Sequence, residues 1–189
     1  MALSALALSS RALLKIGAQT IAGFDEGTAE AEVAANLYPS ARDALLSAHP
    51  WTFATAQRAL PRLAGLPAAD YAHAFQLPAD FLRALSAGVA GRGQGIPYRI
   101  AESRLHADLE RVTLTYIFRP DEAEFPPFFA AALIARLAAE FCIPLTENTS
   151  RAELLFRLAD AELRAARLTD SQQDTPRAIE DFSLVAARG

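Results

Sequence analysis

Residues 112–141 read VTLTYIFRPDEAEFPPFFAAALIARLAAEF, and within them the spacing of apolar side chains changes from two to three and four. Val112, Leu114, Tyr116 and Phe118 alternate with Thr113 and Thr115, as in a strand with one covered face. Past Pro126 and Pro127, which suit the first turn of a helix, Ala130, Leu133, Ile134, Leu137, Ala138 and Phe141 fall on one side of a helix ending near Pro144. A β region therefore hands over to a helical one at the Phe125-Pro126-Pro127 junction.

Working outward, the β region extends back to His49-Pro50, where Trp51, Phe53, Pro61, Gly65, Pro67 and Pro78 break any long helix. Tyr98 and Ile100 add a further alternating pair. Gly91, Gly93 and Gly95 read as a hairpin loop, because the lysine and helix start that a phosphate cradle needs do not follow them. Ahead of this region two helices are predicted. The first runs from Ala5 to Ile16, capped by Ser4, stopped by Gly17 and burying Leu6, Leu13 and Ile16. Thr28 caps the second, whose buried stripe is Val33, Leu37, Ala41, Ala44 and Ala48, with a kink at Pro39 and re-capping by Ser40 and Asp43.

After Pro144, Ser150 and Glu153 form a capping-box pair for a fourth helix. Its apolar stripe is Leu154, Leu158, Ala161, Ala165 and Leu168. A polar linker from Thr169 to Arg177 then leads to a short apolar tail. These readings add up to an α+β, mainly α fold: an antiparallel helical bundle from both ends of the chain (1–50 and 120–168), a small inserted antiparallel β lobe (51–119), and an extended C-terminal linker and docking tail (169–189). The lobe-junction core is expected at Trp51, Phe53, Tyr71, Pro78 and Tyr116, and docking residues in the tail at Ile179, Phe182, Leu184, Val185 and Arg188.

With 189 residues and 52% hydrophobic side chains, the chain can bury a core of its own. The formal charge of -4, from 22 acidic and 18 basic residues, gives no basic face for gripping nucleic acid. A neutral or acidic wall can still let duplex DNA slide past. Among the 18 basic residues only Lys15 is lysine, and the arginines are dispersed. Met1 to Leu8 lacks the basic region of a signal peptide, and no uninterrupted apolar run reaches the ~20 residues of a membrane span, so a soluble protein folding in a reducing cytoplasm is expected. Cys142 is the single cysteine, which excludes an intrachain disulfide, and its apolar neighbours mark it as core.

Sequence patterns for chemistry are weak. His106, Asp108 and Glu110 alternate, as metal ligands or acid and base groups could, but polar residues on a hairpin edge read the same way. Asp121, Glu122 and Glu124 suit a helix approach better than a carboxylate pair for glycan cleavage. Ser9 and Ser10 lack the flanking glycines of a nucleophile elbow. No catalytic residue, metal or cofactor is assigned, and the chain is not read as an enzyme.

The order of less common residues adds information. Leu13-Leu14 with Ile16-Gly17, Tyr38 with Arg42-Asp43 and Leu45, His49-Pro50-Trp51, Phe53-Ala54, Tyr71, Phe75, Leu77-Pro78-Ala79-Asp80 with Leu82-Arg83, Tyr98, Ile100, Tyr116, Asp121 and Phe125-Pro126-Pro127 follow one another over roughly residues 6 to 168. In that order they resemble the tail tubular protein A family, the head-to-tail adaptors or gatekeepers of short-tailed double-stranded DNA phages. Pro39 and the region after Leu168 depart from it. The resemblance implies a virion structural protein of the neck, assembled in the bacterial host cytoplasm as a twelve-copy ring. Its partners would be the portal protein, the tail nozzle protein and copies of itself, and DNA would pass through the channel during ejection without specific binding. Competing expectations are an adaptor or head-completion protein of a long-tailed phage or gene-transfer particle, and a cell-wall-degrading hydrolase.

Overall fold

The computed structural model describes residues 3–65, 67, 70–89 and 93–173. The tail positions Ile179, Phe182, Leu184, Val185 and Arg188 lie outside the described residues. Ser4 opens α1 (Ala5–Ile16) by accepting from the Ala7 N–H at 3.2 Å, and Gly17 ends it in the left-handed region at φ 75°. Thr28 caps α2 (Ala29–Ser47) in the same way through the Ala31 N–H. Six strands follow: β1 (Thr55–Ala59), β2 (His73–Gln76), β3 (Phe81–Gly88), β4 (Arg99–Ala101), β5 (Arg104–Ala107) and β6 (Thr113–Phe118). The helices α3 (Pro127–Thr146) and α4 (Thr149–Ser171) complete the described chain.

The strands form two three-stranded antiparallel sheets, ordered β1-β6-β3 and β2-β5-β4. This overturns the expected helical bundle with one small inserted lobe. The physical reason lies in β6, which is covered on both faces. Leu114 and Tyr116, with Val112 just before the strand, enter a core shared with Phe75, Leu105 and Ala107 of the second sheet. Ile117, on the opposite face by the alternation of a strand, enters the helical core with Trp51, Leu133 and Phe129. The β1-β6-β3 sheet is thus a middle layer, with helices on one side and the β2-β5-β4 sheet on the other.

β3 serves both layers by breaking its own alternation. Its pairing with β6 slips between Phe81 and Arg83 and again between Ala84 and Ser86. Each slip inserts one residue, so Phe81, Ala84 and Ala87 face the second sheet while Leu82 and Leu85 face the helices.

α3 is the central helix, packed against α1, α2 and α4. It is 20 residues long and apolar enough to cross a membrane by length and composition, because Arg136 and Glu140 are the charges it carries; yet most of its apolar stretch is buried within this fold. Its apolar surface is met by neighbouring elements, as in the core helix of a folded domain.

Three helical expectations are corrected. In α2 the buried stripe is Ala31, Ala34, Tyr38, Ala41, Leu45 and Leu46, rotated from the predicted one so that Val33 and Leu37 are half-buried and Ala44 and Ala48 exposed. Tyr38 can lie inside because Glu122 receives its hydroxyl. The helix continues through Pro39; Ser40 donates to the Leu37 carbonyl, while Asp43 pairs with arginines instead of re-capping the chain. In α4 the cap is Asn148, not Ser150, and the buried residues are Ala152, Ala159, Ala166 and Asp170. The predicted stripe points the other way: Leu154 and Leu158 are each 52% exposed and Leu168 64%. Alanine at every seventh position lets α4 lie close to α3, which leucines would hold off. Finally, Thr169 to Ser171 belong to α4, so the linker begins later than the sequence suggested.

Truncation at the middle layer should cost far more than truncation on the outer face of α4. Ile117→Ala, at a fully buried site, is expected to lose about 2–5 kcal/mol in urea denaturation. Leu154→Ala should stay within about 0.5 kcal/mol of the parent.

Candidate functional site

The layers are tied by polar joints, and several of the less common residues of the sequence stand in them. At the first, the chain leaves α2 through His49-Pro50 and turns into a short 3-10 helix, Thr52–Ala54. Trp51 is fully buried, donates Nε1–H to the Leu45 carbonyl at 3.0 Å, and meets Phe129 edge-on at 5.2 Å. Phe53, half-buried, packs against Trp51, Phe125 and Phe129. Asp170 closes the joint from α4. It is 2% exposed, accepts the Thr52 N–H at 3.1 and 3.2 Å and the Thr52 hydroxyl, and lies 3.5 Å from His49 Nε2.

A carboxylate in the last turn of a helix opposes the helix dipole, so Asp170 depends on these donors. The His49–Asp170 distance alone suggests an ion pair. Burial holds the His49 pKa below its ordinary value, however, and Arg167 and Arg83 reinforce this against the pull of Asp170. Thr52 and His49 both address Asp170, so the histidine does not stand between carboxylate and hydroxyl as a nucleophilic triad requires.

The second joint links α2 to the segment after β6. Tyr38 donates its hydroxyl to Glu122 at 3.1 Å, and Arg42 Nη1 reaches the same oxygen at 3.1 Å. Arg42 Nε also holds Asp43 at 2.9 Å, and Arg119 grips both oxygens of Asp43 at 3.1 and 2.6 Å. Burial and the nearby Glu122 push the Tyr38 phenol far above its ordinary range, keeping it a donor. Burial would raise the Asp43 carboxyl, but Arg119 and Arg42 hold it low. A cavity of about 320 Å³ opens beside this network, lined by Ala5, Phe24, Ala35, Tyr38, Pro39 and Arg42. Its charged groups are already paired with one another, which makes the network a brace.

Arg119 continues into a third joint. Its backbone N–H donates to the Asp80 carbonyl at 2.9 Å, and the Asp80 carboxylate accepts the Tyr116 hydroxyl at 3.2 Å. Leu77-Pro78-Ala79-Asp80 forms the turn into β3, with the Phe81 N–H on the Pro78 carbonyl at 3.2 Å.

Of the expected lobe-junction residues, Trp51 and Phe53 come together in the helical core. Tyr116 lies in the second core, stacked on Phe81 at 6.0 Å. Pro78, half-buried, lines a separate groove with Ile100 and Ser103, and Tyr71 meets His106 edge-on at 6.5 Å. His106 pairs in β5 across from Ala74 and Arg99, and Asp108 accepts the Ala72 N–H at 2.9 Å. Among the described residues His106, Asp108 and Glu110 form no group able to hold a metal. The Gly93 carbonyl accepts from Ser86 and Thr115, and a side chain at Gly93 would collide with Thr115 and Gln57. Cys142 is fully buried beside Thr146.

The sequence reading missed Asp170, assigning it to the linker. The signal was available: Ala152, Ala159 and Ala166 recur every seven residues, and Asp170 lies one turn further on that face.

No protein-family model matches the sequence, and no curated protein does either.

Because burial lowers the His49 pKa in the folded state, its contribution to stability is fully present above the unfolded value near 6.5 and lost as the pH falls through the lower folded value. Urea denaturation at pH 7.5 and 5.5 should show a drop for the parent that His49→Gln reduces. Asp170→Ala, which strands the Thr52 N–H, should cost about 1–3 kcal/mol at either pH.

Proposed function

We propose that the chain is a structural head-to-tail adaptor of a phage virion, forming a ring that joins the portal to the tail nozzle and lines the DNA channel. One observation carries the reading. Several residues whose order resembles the adaptor family, Tyr38, Arg42-Asp43, His49-Pro50-Trp51, Asp80 and Tyr116, stand in the joints between layers, where Glu122, Arg119, Thr52 and Asp170 complete the contacts. A subunit that works by geometry needs its layers held at fixed angles, since strain from a DNA-filled head would otherwise be absorbed within the subunit.

The exposed leucine face of α4 supports the same reading, because apolar surface of this kind favours association. The charge balance also suits a channel wall, as an acidic excess leaves phosphates free to slide. In this scheme the twelve subunits, portal and nozzle bury apolar flanks against one another.

The test is reconstitution with the portal and nozzle proteins encoded in the same genome, followed by imaging at side-chain resolution. The chain alone should scatter light as a monomer or loose oligomer and form a ring on adding portal. Failure to join the portal, or release of dye from labelled peptidoglycan, would replace this reading by another. Affinity for duplex DNA at physiological salt should be no tighter than the ~10⁻⁴ to 10⁻⁶ M of nonspecific binding, measured by fluorescence anisotropy.

A further inference from the structure

The joint at His49 satisfies its acid and leaves its bases unserved. Asp170 accepts the Thr52 N–H and hydroxyl and faces His49 Nε2 at 3.5 Å. Arg167 stands one turn earlier on α4 and reaches the Ala48 carbonyl through Nη2 at 3.4 Å, one residue ahead of His49. Arg83 arrives from β3. It pairs in register with Ile117, and residues directly opposite each other in an antiparallel pair share a face, so Arg83 points to the helical side of the middle sheet, where β3 packs against α2. Its charge and that of Arg167 both act on His49.

In each of these arginines Nε is buried without an acceptor, and neither guanidinium has an ion pair among the described residues. Only Ser9 Oγ shares that condition among the described residues, so two of the three unmet buried atoms belong to one joint. A buried donor without an acceptor is costly, and more so when it is charged, which calls for an acceptor from outside the fold. Charge selects the acceptor. Above neutral pH two arginines face one carboxylate, Asp170, and the excess is a single positive charge. A singly charged carboxylate balances it, and its two oxygens match the forked N–H groups of a guanidinium. A phosphate dianion would overshoot and would lie beside Asp170.

We propose that the open side of this joint binds a carboxylate, held by the guanidinium groups of Arg83 and Arg167 beside His49. Both arginines and His49 are half-buried, which leaves a ligand a way in. The carboxylate belongs either to a small free acid or to an acidic side chain of another protein. The site is a property of the single subunit and does not require the adaptor reading.

Titration of the full chain with sodium acetate at constant ionic strength tests it, read by the Nε–H resonances of Arg83 and Arg167 in isotope-labelled protein and by the thermal midpoint. Both resonances should move together and saturate, and the midpoint should rise, as it does for any ligand that binds only the folded state. Arg83→Lys keeps the charge and removes the fork, and should weaken the acetate response about tenfold or more. Arg167→Lys makes the same change from α4, so the outcome does not hang on one variant. Inorganic phosphate should bind no tighter than acetate. The α-amide of N-acetylglutamate, which carries one side-chain carboxylate, separates the sources: tighter binding than acetate identifies a protein-borne carboxylate, and binding no tighter identifies a free acid. Unmoved Nε–H resonances, an undiminished response in both lysine variants, or tighter binding of phosphate overturns the assignment.

Discussion

Strand β6 sets what the rest of the molecule can do. A strand offers two faces, and in an antiparallel sheet one of them commonly stays in water. Here Leu114 and Tyr116 are committed to one core and Ile117 to the other, all fully or almost fully buried. The helices and the second sheet are therefore held to opposite sides of one strand. A one-residue slip of β6 would send Tyr116 into the helical core and Ile117 into the sheet interface, so register is specified from both directions at once.

The same constraint explains why two of the polar joints meet at the C-terminal end of β6. Arg119 follows the strand directly and addresses Asp43 of α2 with its side chain and Asp80 with its backbone. Tyr116, within the strand, reaches Asp80 from the second core. One strand end thus couples a helix, the turn into β3 and both hydrophobic cores. Charge-assisted bonds of this kind are directional, which apolar burial is not, and so they fix angles where the cores fix only proximity.

How much of this was legible depended on whether local physics decided the outcome. The bounds of α1, the caps Ser4 and Thr28, and the Pro126-Pro127 entry to α3 follow from local signals, and the structure has them. The alternation in β6 was legible as well, but Ile117 was overlooked because alternation presumes one covered face. The bulges in β3 left no mark, since Leu82 and Leu85 read as ordinary apolar residues. The stripe of α4 was misassigned because leucine is the stronger apolar signal and alanine the weaker, whereas close helix packing favours the smaller side chain. His49 and Trp51 stood out in the sequence, yet their partner Asp170 lies 118 positions from Thr52 and is joined to it by tertiary contact alone.

Packing through alanine has a physical consequence for α4. A helix bound through alanines gains less from burial per residue than one bound through leucines, at about 25 cal/mol per Å² of apolar surface covered. α4 makes up part of this with directional contacts at its ends: Arg151 donates to the Lys15 carbonyl at the close of α1 and Arg167 to the Ala48 carbonyl at the close of α2, at 3.3 and 3.4 Å. Both arginines meet carbonyls that a helix terminus leaves without partners in the helix, where the dipole also favours a cation. α4 is consequently pinned at both ends and packed closely in between, with its larger side chains left facing outward. Such a helix can present an apolar face without depending on that face for its place in the fold, which is what a surface for reversible docking requires.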